Sequence, residues 1–385
     1  MKHKIKYIVI SVINFIIIIA ICILTIVGNS MAVSQRYNYT ADIWKNNSKK
    51  NFAQISTFFE ENSGFTTDSL NAVRAGLVSE LQNVSIETDG KNLPYAEAYS
   101  TQAGTFKIKG DLIGSSEAEL TAVGGDFFMF RNFQLIDGSY FNDGDLMQDG
   151  AVIDKSLAWA LYGSFDVAGM NLYISGVKFY IAGIIENPET KLEKECVGKL
   201  PQIYISYDGM ENVSALAETP ETTADTAPAL RTGLKNITCY ETILPNPVEN
   251  FAYNTIKKQF SESYKNKYSI VKNSERFKPS VRAKAFKKID GYAVSKNNIK
   301  YPYWENASRI VEFKLTFLYF FRKILFIVPS LTVLWLVIMA VIFLKRKKPA
   351  VIRAVSIFID RRRRDIKEKI FKKTKESINK NQTER

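Results

Sequence analysis

Two stretches of the chain carry no charge, and they frame everything between them. Residues 7–27 (YIVISVINFIIIIAICILTIV) and 324–344 (ILFIVPSLTVLWLVIMAVIFL) are each 21 uncharged residues long. At about 1.5 Å per residue each spans roughly 30 Å, the thickness of one hydrocarbon core, so each predicts a transmembrane helix. The first is longer than the apolar region of a cleavable leader and is read as an uncleaved anchor. Pro329 predicts a kink near the outer end of the second.

Between the spans the pattern is mixed. Residues 33–62 read as a helical stalk continuing the first span. Thr67 or Asp68 is placed to cap a helix that carries Leu70, Val73, Leu77 and Leu81 on one face. From about residue 104 the pattern turns to strands. Residues 106–109 alternate with period two, and residues 151–154 (AVID) form a short buried strand before a helix over 156–162. Residues 171–175 and 178–185 form a hairpin around Gly176. Strands follow over 202–207 and 237–244, with an amphipathic helix over 248–264. Residues 214–230, rich in Ala, Thr, Glu and Pro, read as a mobile insertion. The fold class is α+β, a two-lobed domain between two transmembrane helices.

Charge places this domain. The chain has 52 basic and 39 acidic residues, net +13. Residues 1–6 hold three Lys, and residues 345–385 hold 16 basic and five acidic residues. The remaining 33 basic and 34 acidic residues leave the middle at −1. The positive-inside rule then puts both termini in the cytoplasm and residues 28–323 outside. The basic excess faces the anionic inner leaflet and does not point to nucleic acid. Arg361, Arg362, Arg363 and Arg364 mark the tail as a membrane-surface or partner contact.

The chemistry is sparse. His3 is the single histidine, which argues against Ser-His-Asp and Cys-His catalysis and against a His-rich zinc site. Gly90-Lys91 and Gly198-Lys199 are followed by Asn and Leu, so there is no phosphate-binding loop. Asp137, Asp143, Asp145, Asp149 and Asp154 cluster among glycines but lack calcium-loop spacing, and read as turn acids. Phe127, Phe128, Phe130, Phe133, Tyr140 and Phe141 read as core. No nucleophile elbow or Ser-x-x-Lys block stands in a strand-to-helix context, so the chain reads as non-enzymatic, with no cofactor and no metal. Cys196 and Cys239 lie outside in an oxidising setting and are a candidate disulfide.

Residues 122–186 carry blocks that resemble a known family. A strand ends at Gly125-Asp126, and a Leu-x-x-Gly-x-x-Phe segment follows from Leu135 to Phe141. A Val-Ile-Asp strand (Val152–Asp154) leads to a Leu157-to-Gly163 helix and a hairpin from Gly169 to Ile185. This resembles the MacB-like periplasmic core domain of FtsX-like ABC transporter permeases. The order of span, long ectodomain and returning span is also similar. The resemblance implies a permease-like subunit that works beside a separate ABC ATPase and a multi-span permease, coupling or scaffolding through its extracytoplasmic domain. Two other readings stand beside it: an envelope binding or scaffold protein reusing the fold, and a cell-wall hydrolase activator.

Overall fold

The computed structural model describes residues 2–45, 50–86, 94–112, 114–131, 133–186, 190–217, 236–288 and 298–383. The chain divides into two compact units, one of Met1–Ile23 with Arg322–Arg385 and one of Leu24–Phe321. The strands are β1 (Phe52–Phe59), β2 (Ala96–Gly110), β3 (Ser115–Gly125), β4 (Leu135–Gly138), β5 (Gly150–Asp154), β6 (Asn171–Ile174), β7 (Val177–Ile185), β8 (Gln202–Ser206), β9 (Cys239–Pro245) and β10 (Tyr268–Lys272). The helices are α1 (Lys2–Val33), α2 (Thr40–Lys45), α3 (Thr67–Asn83), α4 (Phe127–Arg131), α5 (Lys155–Tyr162), α6 (Lys191–Val197), α7 (Tyr207–Ala217), α8 (Phe251–Phe260) and α9 (Pro279–Ala285), followed by α10 (Tyr303–Leu325) and α11 (Ile327–Thr383).

The ten strands of the Leu24–Phe321 unit form one sheet in the order β10-β1-β9-β2-β3-β8-β5-β7-β4, with β6 beside β2 and β7. The β3/β8 and β5/β7 pairs are parallel and the other pairs antiparallel. Both faces are covered. Neighbouring residues on a strand point to opposite faces, so Phe59, Ile153 and Ile203 join one core with α3, α5, α7 and α8. Phe58, Val152 and Tyr204 join the other, against α2, α4 and the start of α10. The two predicted lobes share this sheet: α3 and α8 pack at the β1 end, α5 and α7 at the β3–β8–β5 end.

Most predicted elements are present with small boundary shifts. The hairpin turns at Ser175 and Gly176, both with positive φ, which suits a two-residue connection between right-twisted strands. Leu70, Val73, Leu77 and Leu81 are all buried, and α3 is capped by Thr66, one residue ahead of the expected position. One expectation fails. Residues 33–62 are no continuous helix, since β1 occupies Phe52–Phe59 between β9 and β10. A strand buried on both faces loses the polar alternation that identifies half-buried strands. The aromatic and β-branched residues of FAQISTFF were the remaining signal. Most of the expected insertion over 214–230 lies outside the described residues.

Two helices are long and apolar enough to cross a membrane, within Ile5–Val33 and Tyr303–Lys345. In the unit that holds residues 1–23 and 322–385, Thr332 Oγ1 donates to Asn14 Oδ1 at 3.0 Å. The Tyr7 and Trp335 rings stack with centroids 6.0 Å apart. A polar pair of this kind pins two helices where lipid offers no competing partner. The helical assignment is interrupted at Phe326, between α10 and α11, three residues before Pro329. Pro329 has no N–H for the carbonyl of Leu325, and its ring crowds that carbonyl.

Candidate functional site at the stem junction

Three short segments converge on a group of buried arginines. They are the turn after α1, the turns after β10, and the first half of α10. Arg276 follows a single 3-10 turn, Asn273–Glu275, at the end of β10. Glu305 and Glu312 sit seven residues apart on α10, two turns along one face. Arg276 grips Glu305 with both arms of its guanidinium, Nη1 to Oε2 at 2.7 Å and Nη2 to Oε1 at 2.9 Å. Nη2 also reaches Glu312 Oε2 at 3.1 Å, and Nη1 donates to Asn38 Oδ1 at 2.9 Å. Arg282, on α9, takes the other oxygen of Glu312 at 3.0 Å. All five residues are buried. Burial alone would lower the Arg276 pKa, but Glu305 and Glu312 outweigh it and raise it.

Asn38 ties the first stem to this cluster. It accepts from Arg276 and from Asn273 Nδ2 at 3.1 Å, and its own amide donates to Ser308 Oγ at 2.9 Å. Ser308 in turn donates to Gln35 Oε1 at 3.1 Å. Apolar packing supports the same contact. Ala32, Phe277, Val311, Leu315 and Tyr319 form a buried cluster. Gly28 leaves room for the Tyr319 ring, since a Cβ there would stand 2.9 Å from its hydroxyl.

The second arginine, Arg131, closes α4. Its Nη2 pairs with Glu241 of β9, which also accepts from Ser56 Oγ at 2.8 Å. Its Nε and Nη1 have no hydrogen-bond acceptor among the described residues. Rings surround the guanidinium instead: Trp304 at 4.2 Å, Phe127 at 5.4 Å and Tyr37 at 5.6 Å. The two arginines are therefore held by neighbouring residues. Tyr37 and Trp304 face Arg131, while Asn38 and Glu305 bind Arg276. A shift of either stem would disturb both guanidinium sites. Fork-shaped ion pairs and stacked rings fix position and angle, which suits a mechanical joint.

The residues singled out from sequence lie elsewhere. Cys196 and Cys239 are both free thiols, so the expected bridge is not present. Cys239 is buried in the sheet, and burial pushes its thiol up to about 12, with Arg131 opposing. Cys196 is half-buried on α6 at the edge of the same cluster. Sequence separation and compartment carry no information on whether two Cβ vectors meet. Arg361–Arg364 are exposed along α11. The clustered acids serve turns: Asp137 accepts from Gly138 and Ala168 backbone N–H groups, and Asp154 caps α5 through Leu157 N at 2.8 Å. Among the described residues no group of three or more His, Cys, Asp or Glu is placed to hold a metal ion. The aromatics of residues 127–141 are core, as expected.

Sequence reasoning missed the junction. Its acids and arginines lie far apart along the chain, and no spacing rule links them. The one local signal was Glu305 and Glu312, seven residues apart and so on one face of α10.

The sequence profile of the family described as MacB-like periplasmic core domain matches residues 13–232, more than half the chain. A macrolide export ATP-binding/permease protein MacB from Pasteurella multocida (strain Pm70) is 28% identical over 93 residues, 24% of this chain. That match covers 14% of the relative's length, so the chain spans a small part of it. Among solved structures, the periplasmic region of MacB from Actinobacillus actinomycetemcomitans is 13% identical with a TM-score of 0.37, covering 60% of this chain and 94% of that one. The extracellular domain of the noncanonic ABC-type transporter YknZ from Gram-positive bacteria is 12% identical with a TM-score of 0.35, covering 57% and 99%.

Proposed function

We propose, from the premise that the chain belongs to the family of MacB-like periplasmic core domains, that it is a non-enzymatic subunit of an ABC-type transport system. The family is that of ABC transporter permease components, which work with ABC ATPases. In this reading the extracytoplasmic domain moves with, or holds in place, the two membrane helices. The observation that carries it is the stem junction. Arg276 binds residues of both stems, so displacement of one stem is passed to the other and to the sheet through short ionic contacts. Both termini lie in the cytoplasm, with residues 28–323 outside and residues 345–385 inside, following the charge partition. Arg361–Arg364 then meet anionic lipid and the cytoplasmic side of a partner complex, a separate ABC ATPase with a multi-span permease.

The test is recovery of the tagged full chain from native membranes at moderate salt. An ABC ATPase or multi-span permease is expected to co-purify. Replacing Arg361–Arg364 by four Lys is expected to weaken that recovery, because an ammonium cannot form the fork that a guanidinium offers a carboxylate. Recovery of neither partner would leave a stand-alone envelope scaffold in place of a transporter subunit.

A further inference from the structure

Two exposed features flank β5, and their chemistry is complementary. The first is the loop just before the strand. Leu146 is 98% and Met147 75% exposed. Large apolar side chains this exposed are usual on mobile loops, but this loop is braced. The Gln148 side chain donates to the carbonyls of Asp145 at 2.6 Å and Asp143 at 3.1 Å. Asp145 accepts from Asn142 N at 3.1 Å. Asp143 anchors the loop to the sheet by accepting from Gly125 N at 2.7 Å and Tyr99 Oη at 3.2 Å. The result is a fixed apolar knob. Asp143, Asp145 and Asp149 surround it, and no Lys or Arg occurs between residues 137 and 154. Such a rim repels an anionic bilayer and favours a cationic protein surface.

The second feature begins at the far end of the same strand. A cleft of about 670 Å³ is lined by Asp154, Lys155, Trp159, Phe165, Lys194 and Lys199 among others. Trp159 is 60% exposed on α5, while the opposite side of that helix is buried. Its ring lies 5.5 Å from that of Phe165. Glu186 is matched by Lys155 at 3.2 Å, and Asp154 is occupied as a helix cap. Lys194 and Lys199 are exposed on the other rim and have no acidic partner among the described residues. The cleft is thus an aromatic slot with spare positive charge.

We propose that the Leu146–Met147 knob of one copy docks into the Trp159 cleft of a second copy. The knob cannot fill its own cleft, because a five-residue strand, about 16 Å at 3.3 Å per residue, separates them. An interface joining two different patches is heterologous, so it propagates into a ring or a row of copies. The contact is independent of the coupling reading, and its test needs no ATPase.

Two differently tagged full-length copies, both carrying Cys22→Ser and Cys196→Ser, are co-expressed and oxidised in native membranes. One copy carries Met147→Cys and the other Trp159→Cys. A cross-linked heterodimer is expected, and it is expected to be absent when Trp159→Cys is replaced by Val248→Cys, an exposed position by α8. Leu146→Cys with Lys199→Cys repeats the test without removing the tryptophan. Lys194→Glu with Lys199→Glu should abolish the heterodimer, and Asp149→Lys on the copy that carries the knob, which leaves the bracing Asp143 and Asp145 in place, should restore part of it. Maleimide labelling shows that each cysteine is accessible. Accessible cysteines without the heterodimer, a band equal to the Val248 control, indifference to charge reversal, or capture of position 147 by a different protein would each overturn the proposal.

Discussion

The stem junction and the turn region over residues 137–154 are both rich in charge, and they handle it in opposite ways. In the junction Arg131, Arg276 and Arg282 are buried against Glu241, Glu305 and Glu312, so each charge is answered by another inside the protein. In the turn region Asp137, Asp143, Asp145 and Asp154 each accept from backbone N–H groups, and Asp143 also from the Tyr99 hydroxyl. Charges that sit close in sequence are dispersed into local turns, while charges scattered along the chain are gathered into one cluster. Buried ion pairs contribute little net stability against well-packed apolar groups, but removing one partner is costly because the other is left bare. The junction therefore fixes geometry, and the turn acids end loops.

The largest expected effect tests that claim at Arg276. Arg276→Ala leaves Glu305 without its cation and Glu312 with Arg282 alone. A loss of about 3–5 kcal/mol is expected, measured by urea unfolding of the full chain in detergent with tryptophan fluorescence as the signal. Arg276→Lys should recover only part, since one ammonium cannot serve Glu305 bidentately while reaching Asn38 and Glu312. A loss under about 1 kcal/mol for the alanine variant would mean the junction behaves like exposed surface charge, and the contrast between the two regions would collapse.

The same contrast explains what was legible in the sequence. Local periodicity is written in short windows, so α3, α5, the β6–β7 hairpin and both apolar spans could be read from residues such as Leu70, Leu77, Ser175 and Gly176. The family blocks over residues 122–186 coincide with β5, α5, β6 and β7. β1 was misread because burial on both faces removes the alternation that marks a strand. The junction was invisible because Asn38, Arg131, Glu241 and Arg276 meet only after the sheet has formed. The cysteines illustrate the limit from the other side. Cys196 and Cys239 share a compartment, yet one lies on α6 and the other within the sheet.

Arg131 offers a sharper version of the comparison. It has one carboxylate partner, Glu241, where Arg276 has two. Arg131→Met is expected to destabilise by about 3 kcal/mol, since Glu241 stays buried without its cation and with the Ser56 hydroxyl beside it. Adding Glu241→Gln removes that stranded charge while keeping an oxygen for Ser56. The double variant should return to within about 1 kcal/mol of the parent. No single neutralisation can do this for Arg276. If the Arg131→Met, Glu241→Gln double variant remained as unstable as Arg131→Met alone, the aromatic box would be holding a cation in its own right, rather than serving as apolar packing around an ion pair.

Asp154 is the most buried of the turn acids and gives the smallest expected effect. Burial pushes its carboxyl up to about 6, against the backbone N–H of Leu157 and others that favour the charged form. A carboxyl whose pKa is raised by folding holds its proton more tightly in the native state. Its contribution to stability is therefore full below the unfolded value near 4 and is lost as pH rises through about 6. The loss approaches about 2–3 kcal/mol for a shift of this size. Asp154→Asn keeps an acceptor for the Leu157 N–H without the charge. The variant should match the parent near pH 4 and gain on it steadily towards pH 7, read as the difference between two urea-unfolding series. Parallel series across that range would show that N–H groups hold this carboxylate as well as arginine holds those of the junction, and the difference between the two regions would then lie in wiring alone and not in the stability of the buried charge.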